Sequence, residues 1–196
     1  MTQRMRKIQA VHSSKQLEVK YRRELDALLR YMLNIALDEL REPEKVNDAL
    51  PDYFKSLTAK MNLIFDKLDA IDLSMFANLI ASRVVNTANN ANKERFNRQA
   101  SKTFGIDLKG ALSSSGKAVQ DQLAIDRELN ASLIKSVATE FKQQISETIM
   151  TNVQSGKRST DLITQIKERY NVSQSRAKLI ARDQTSKLNG SLVKAR

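Results

Sequence analysis

A chain of 196 residues, of which 41% are hydrophobic and 28% charged, has the balance of a globular protein with enough material for a core. Five glycines and two prolines are few, which favours long helices over β architectures with their many turns. The absence of cysteine excludes disulfides and thiolate metal sites, and no apolar run is long enough to predict a membrane span.

The formal net charge of +11 is concentrated near the two ends of the chain. Residues 1–30 hold eight Lys/Arg against three Asp/Glu, and residues 155–196 hold ten against three, whereas the middle is nearly neutral. Basic ends around a neutral body indicate two contact zones for a polyanion or for acidic protein surfaces. The plainer alternative is a positive charge that only keeps the chain soluble.

Apolar residues recur at helical spacing through the first hundred residues. The first predicted helix runs from about Ser14 to Arg41, and Pro43 marks its end because proline cannot continue a helix. A second helix opens at Pro51. A third follows Asp72, whose carboxylate suits an N-cap. The Asn-rich stretch after it keeps helical spacing but has weaker helix propensity.

Residues 101–116 break this pattern, since they hold three of the five glycines and a serine triplet. We interpret them as a connector. It divides an N-terminal helical region with a basic N-terminus, residues 1–100, from residues 117–196, which are predicted to contain a long helix and a C-terminal helix pair.

The longest apolar line follows Gly116 and extends to the QSG at 154–156, which is roughly 55 Å of unbroken helix. So long a helix needs a bundle partner, either in the same chain or in a neighbouring subunit. The second alternative would be self-association through this helix. Its apolar positions are Val119, Leu123, Leu129, Leu133, Val137, Phe141, Ile145, Ile149 and Val153.

The C-terminal pair is predicted from stop and cap residues. Gly156 is suited to end the long helix, and Ser159 or Thr160 to cap a short one. The short helix is expected to end at Tyr170, and Ser173 to cap the closing helix.

This outline is that of a helix-turn-helix, in which Gln174, Ser175 and Lys178 would face base edges while Arg182 and Lys187 contact phosphates. The alternative is a pair of helices packed as a cap with a solvated basic face.

The closing helix has an apolar side and a basic side. Its predicted helix-packing residues are Ala177, Ile180, Ala181, Gln184 and Leu188. The candidate contacts to DNA or a protein partner are Arg169, Arg176, Lys178, Arg182, Lys187, Lys194 and Arg196.

No catalytic centre is predicted. His12 is the only histidine, and no glycine-rich phosphate loop occurs. The carboxylate pairs Asp38–Glu39 and Asp126–Glu128 are interpreted as solvated surface charge. We expect no cofactor, no metal and no enzymatic activity.

The string RAKLIARDQTSKLNG, residues 176–190, resembles the signature region of the phage head morphogenesis family, the minor head (minor capsid) proteins typified by phage Mu protein F. The similarity extends upstream to NASLIKSVATEFKQQISETI at 130–149 and FGIDL at 104–108, so it covers roughly residues 96–190. The matching positions of the string are Arg176, Ala177, Ile180, Ala181, Arg182, Asp183, Gln184, Thr185, Lys187 and Asn189.

The resemblance implies a structural protein of a tailed-phage head that acts in head assembly near the portal vertex. Its expected partners are the portal or major capsid protein and packaged double-stranded DNA, held by nonspecific electrostatics. Its expected location is the head interior of the virion, and the host cytoplasm during assembly. Members of the family commonly continue past this helix into a small domain, whereas the present sequence stops at Arg196. From the residues alone, the alternative is a helix-turn-helix regulator using residues 159–190. In either case the fold class expected is an all-α, elongated helical bundle.

Overall fold

A computed structural model of the protein describes residues 15–41, 50–112, 116–155 and 159–196. Within those ranges the regular structure is entirely α-helical, which confirms the predicted all-α bundle. The helices are α1 (Lys15–Leu40), α2 (Leu50–Asp69), α3 (Leu73–Phe104), α4 (Lys117–Ser155) and α5 (Ser159–Ala195).

The helices α4 and α5 are antiparallel and keep one register along most of their length. Side-chain contacts join Asp126 to Ser191, Glu140 to Arg176, and Asn152 to Gln165. Residue numbers rise along α4 as they fall along α5, so the two helices form a regular antiparallel pair.

The other long helices extend this pattern into a bundle. Contacts of Lys20 with Thr87 and of Tyr31 with Phe76 make α1 and α3 antiparallel. An Arg127–Asn86 hydrogen bond joins α3 to α4. The C-terminal end of α2 is fixed by two ion pairs, Lys67–Glu39 to α1 and Asp69–Lys142 to α4.

A single buried apolar cluster runs through the whole bundle, from Leu17 in α1 to Leu192 in α5. It includes residues from all five helices, for example Tyr21, Phe141 and Ile166, whose side chains are fully enclosed. Residues on both sides of the predicted connector therefore share one core, and the division into 1–100 and 117–196 stays a prediction.

The predicted C-terminal helix pair is wrong, because α5 is one continuous helix of 37 residues. Ser173 does not cap a second helix. It is buried and donates a hydrogen bond to the side chain of Gln144 in α4 at 3.4 Å. No Gly or Pro interrupts residues 159–189, so packing against α4 and α1 overrides the weak local preference of Asn and Ser for a turn. The turn that a helix-turn-helix requires is absent there.

The helix α3 is longer than the sequence indicated, because it continues through the Asn-rich stretch and into the predicted connector, up to Phe104. At its start Asp72 accepts a hydrogen bond from the backbone N–H of Met75 at 2.8 Å, which confirms the predicted N-cap. At its end Gly105 has the left-handed conformation, φ 72°, and its N–H donates to the carbonyl of Ser101. The helix thus ends at a residue that adopts this conformation without a Cβ penalty.

The predicted long helix is confirmed as α4, but its buried stripe differs from the predicted apolar line. Leu129 is exposed, and the polar residues Asp126 and Asn130 are buried in its place. Asp126 accepts hydrogen bonds from Gln122 and Ser191, so its interpretation as solvated surface charge was wrong. A hydrophobic pattern cannot identify polar residues that are buried because partners on other helices satisfy them.

Several predictions fall outside the described residues. These are the basic segment 1–14 with His12, the helix end at Pro43, and the stop at Gly156.

Candidate functional site

The buried side of α5 carries the residues that the sequence predicted for helix packing. Ala177, Ala181 and Leu188 are fully buried, and Ile180 is partly buried against the core. Gln184 is buried, although its amide donates only to the neighbouring Asp183. Because alanine side chains are small, this stripe leaves room for a close approach of the adjacent helices.

Three of the seven candidate contact residues are engaged within the molecule. Arg176 forms an ion pair with Glu140 of α4, and Lys187 forms one with Asp183 at 2.7 Å, one turn earlier in α5. Arg196 donates from its guanidinium to the side-chain oxygen of Asn92 at 2.6 Å and makes further contacts to α3. Burial lowers the pKa of this guanidinium from its ordinary value.

The other four candidates, Arg169, Lys178, Arg182 and Lys194, are exposed and have no hydrogen bond or ion pair with any described residue. Lys178 and Arg182 are four residues apart and therefore share one face of α5. The basic side of α5 thus contains both internally paired cations and cations available to an external anion.

The face of α5 that carries Lys178 borders an open groove against α1. We call it the α1–α5 groove, and its volume is about 540 Å³. Two of its cations, Arg22 and Arg23, come from α1, and neither has a partner among the described residues. The residues that line the groove are Arg22, Arg23, Asp26, Gln174, Ser175 and Lys178.

Asp26 is the one carboxylate in this groove, and it is held by three donors. The Tyr170 hydroxyl donates to it at 2.6 Å, the Gln174 amide at 2.8 Å, and the guanidinium of Arg30 at 3.0 Å. Partial burial opposes its ionisation, but these hydrogen bonds and the charge of Arg30 outweigh that effect, so the pKa of Asp26 lies below its ordinary value. Asp26 is therefore a satisfied anion that positions groove residues, and the groove remains net positive.

Sequence reasoning missed the α1 part of this groove. Arg22 and Arg23 belong to the basic first thirty residues, but hydrophobic periodicity does not reveal which two helices are neighbours. The available signal was the positive charge of both ends of the chain. It indicates a shared site only when α1 is known to lie beside α5.

Two further kinds of site are absent from the described part of the chain. In the described residues, no three His, Asp or Glu side chains lie close enough together to hold a metal ion. Among the described helices, none combines the length and the apolarity that crossing a lipid bilayer requires.

Comparison with known proteins finds a similar sequence in a bacterium. An uncharacterized protein of Haemophilus influenzae is 30% identical over 197 residues, which cover 98% of this chain and 43% of that protein. The chain therefore spans less than half the length of this relative. No protein-family model and no solved structure matches the chain.

Proposed function

We propose that this protein is a non-enzymatic structural component of a tailed-phage head, which acts in head assembly near the portal and contacts packaged DNA. Its place of action would be the head interior and, during assembly, the host cytoplasm. The family resemblance of residues 176–190 is the source of this proposal, and the arrangement of α5 supports it.

The observation that carries the proposal is the division of that string between two faces of one helix. Ala177 and Ala181 lie in the core, while Arg182 is exposed beside Lys178 and has no partner among the described residues. Packing accounts for the apolar half of the string, and internal ion pairs account for Arg176 and Lys187. An external anion would account for Arg182. Exposed cations that neutralise phosphates would release counterions and bind any duplex in a salt-dependent way.

Exposed apolar surface supports the assembly part of the proposal. Tyr31 and Leu79 are about half exposed and line, together with Phe76, a groove where α1 and α3 meet. The rings of Tyr31 and Phe76 are in contact there. Contiguous exposed apolar surface of this kind is typical of protein contacts, here with the portal or major capsid protein.

Self-association through the long helix has a separate basis. Ile125, Leu129 and Met150 are exposed on the outer side of α4, away from the core. These positions would face a second copy if the long helices of two molecules paired.

A helix-turn-helix regulator is contradicted, because α5 is continuous where that motif needs its turn.

The test combines two binding measurements on the whole protein. Light scattering should show a complex with purified portal protein. A random-sequence duplex should bind with an affinity that falls steeply with salt, and without the preference of about 10³ for one site that a regulator shows.

A variant pair then assigns the DNA contact. Lys178→Ala with Arg182→Ala should reduce the slope of log affinity against log salt by up to about 2, one for each phosphate that the variant no longer neutralises. Lys102→Ala with Lys135→Ala removes two cations on α3 and α4 and should leave the slope nearly unchanged. An equal change in both pairs would contradict a role for the α5 face, and absence of any portal complex would contradict the assembly role.

A further inference from the structure

We infer that the α1–α5 groove is a two-helix clamp for phosphate groups of a duplex backbone, and that Arg22 and Arg23 of α1 supply half of it. The inference rests on the proposed function for the identity of the polyanion. The site itself is drawn from the arrangement of the two helices.

Uncompensated positive charge is concentrated in this groove. Arg22, Arg23 and Lys178 line one groove, and none of them is paired within the described residues. Like charges that share a groove repel one another, and an anion between them relieves that repulsion. Other cations at the bundle surface, such as Arg83 and Arg176, already have carboxylate partners in Glu24 and Glu140.

The carboxylate in the groove does not compete with an external anion for these cations. Asp26 is occupied by Tyr170, Gln174 and Arg30. It forms no ion pair with Arg22 or Arg23, the two α1 arginines that line the groove. Its contacts also hold the Gln174 side chain, which links α5 to α1 at the floor of the groove. The clamp is therefore built on a fixed contact between its two helices.

The hydrogen-bond donors of the groove suit phosphate groups. A guanidinium offers planar, paired N–H donors that match two phosphate oxygens, and an ammonium adds a point charge. Two arginines on α1 facing a lysine on α5 can hold phosphate oxygens from both walls. Residues of this kind position a nucleic acid without reading its bases.

The lining of the groove favours a duplex over a single strand as its ligand. Proteins that hold single strands stack successive bases on exposed aromatic rings. No residue lining the groove is aromatic, and the nearby Tyr170 is buried with its hydroxyl bound to Asp26. The groove therefore suits outward-facing phosphates of a duplex better than unstacked bases.

The experiment measures duplex affinity of the whole protein over a roughly fourfold rise in salt, from about 50 to about 200 mM. It compares the unmodified protein, the double variant Arg22→Gln with Arg23→Gln, and the matched pair Lys102→Gln with Lys135→Gln.

The double variant in the groove should have a salt slope lower by about 2, because two phosphates keep their counterions. The rise in salt should therefore weaken its binding about tenfold less than that of the unmodified protein. The matched pair should behave like the unmodified protein. Lys178→Gln, on the opposite wall, should independently lower the slope by about 1.

Three outcomes would overturn the clamp. The first is a groove variant that keeps the full salt slope while retaining the helicity and melting temperature of the unmodified protein. The second is tighter binding of a single strand than of a duplex. The third is an Arg22- and Arg23-dependent response to inorganic phosphate without any duplex binding, which would assign the groove to a free anion.

The same data separate this inference from the proposed function. If duplex binding depends on Lys178 and Arg182 but not on Arg22 and Arg23, the clamp fails and the DNA contact of α5 stands. If portal protein binds but no duplex does, the assembly role stands and the clamp fails.

Discussion

Tyr21 and Asn130 meet inside the core, where the tyrosine hydroxyl donates to the amide oxygen at 2.8 Å. Both side chains are almost completely buried, and burial strongly raises the pKa of the Tyr21 phenol. The Asn130 amide nitrogen in turn donates to the backbone oxygen of Asp126. This chain of contacts connects α1 to α4 and leaves no polar atom of the pair unused.

Tyr21→Phe should therefore lower the free energy of unfolding by about 1–2 kcal/mol, since it leaves a buried amide oxygen without its donor. Tyr31→Phe is the matched control, because Tyr31 is half exposed and should change stability little. Urea unfolding followed by circular dichroism measures both. Equal stabilities of the two variants would contradict a structural role for the buried hydroxyl.

Asp26 makes the stability of the folded protein depend on pH. Its pKa in the folded protein lies below the ordinary value, so it contributes stability at pH values above about 3.9 and loses this contribution as the pH falls through its folded pKa. Asp26→Asn should flatten the decline of unfolding free energy between about pH 5 and pH 2, measured by urea titration. Asp121→Asn, at an exposed position of α4, should keep the decline of the unmodified protein. Parallel curves for Asp26→Asn and the unmodified protein would contradict the assignment.

At the scale of elements, α5 is the helix whose continuity matters most. Val172 lies where the sequence indicated a turn, and it is exposed in the middle of the helix. Val172→Pro should cost about 3 kcal/mol or more, because proline removes a backbone hydrogen bond and clashes with the preceding turn. Val172→Ala removes the same side chain and should be neutral or slightly stabilising. Tolerance of proline in urea unfolding would indicate a turn at this position.

The helices differ in how well the sequence predicts them. Helices α1 and α4 were predicted closely because their apolar positions recur at helical spacing over many turns. The turn predicted at Asn171–Ser173 was wrong, because contacts with α4 keep this segment helical. The hydrogen bond from Ser173 to Gln144 is one of them. The weak prediction for α3 after Ala88 has the same cause. Asn89 and Asn92 face Arg196, which is 104 residues or more away in sequence.

The candidate site was predictable only on its α5 side. Lys178 and Arg182 share a helix face by spacing alone, and the sequence identified both. The sequence could not show that Arg176 is occupied by Glu140, or that Arg22 and Arg23 face Lys178. These facts depend on which helices are neighbours, and a periodic pattern is the same for any choice of neighbours.

At the scale of the whole molecule, the shared core from Leu17 to Leu192 predicts one cooperative unfolding transition. Amide hydrogen exchange in α3 and α5 and circular dichroism of the whole chain should report the same free energy of unfolding for their most protected groups. Two well-separated transitions would show that residues 1–100 and 117–196 fold as separate units.

The constant register of α4 and α5 also makes the molecule a strut. From Asp126–Ser191 to Asn152–Gln165 the two helices run side by side for about 40 Å. Bodies attached at opposite poles of this hairpin would be kept a fixed distance apart, because a paired helix neither stretches nor shortens without breaking. A protein that joins its neighbours, as proposed above, would in this way also set the gap between them.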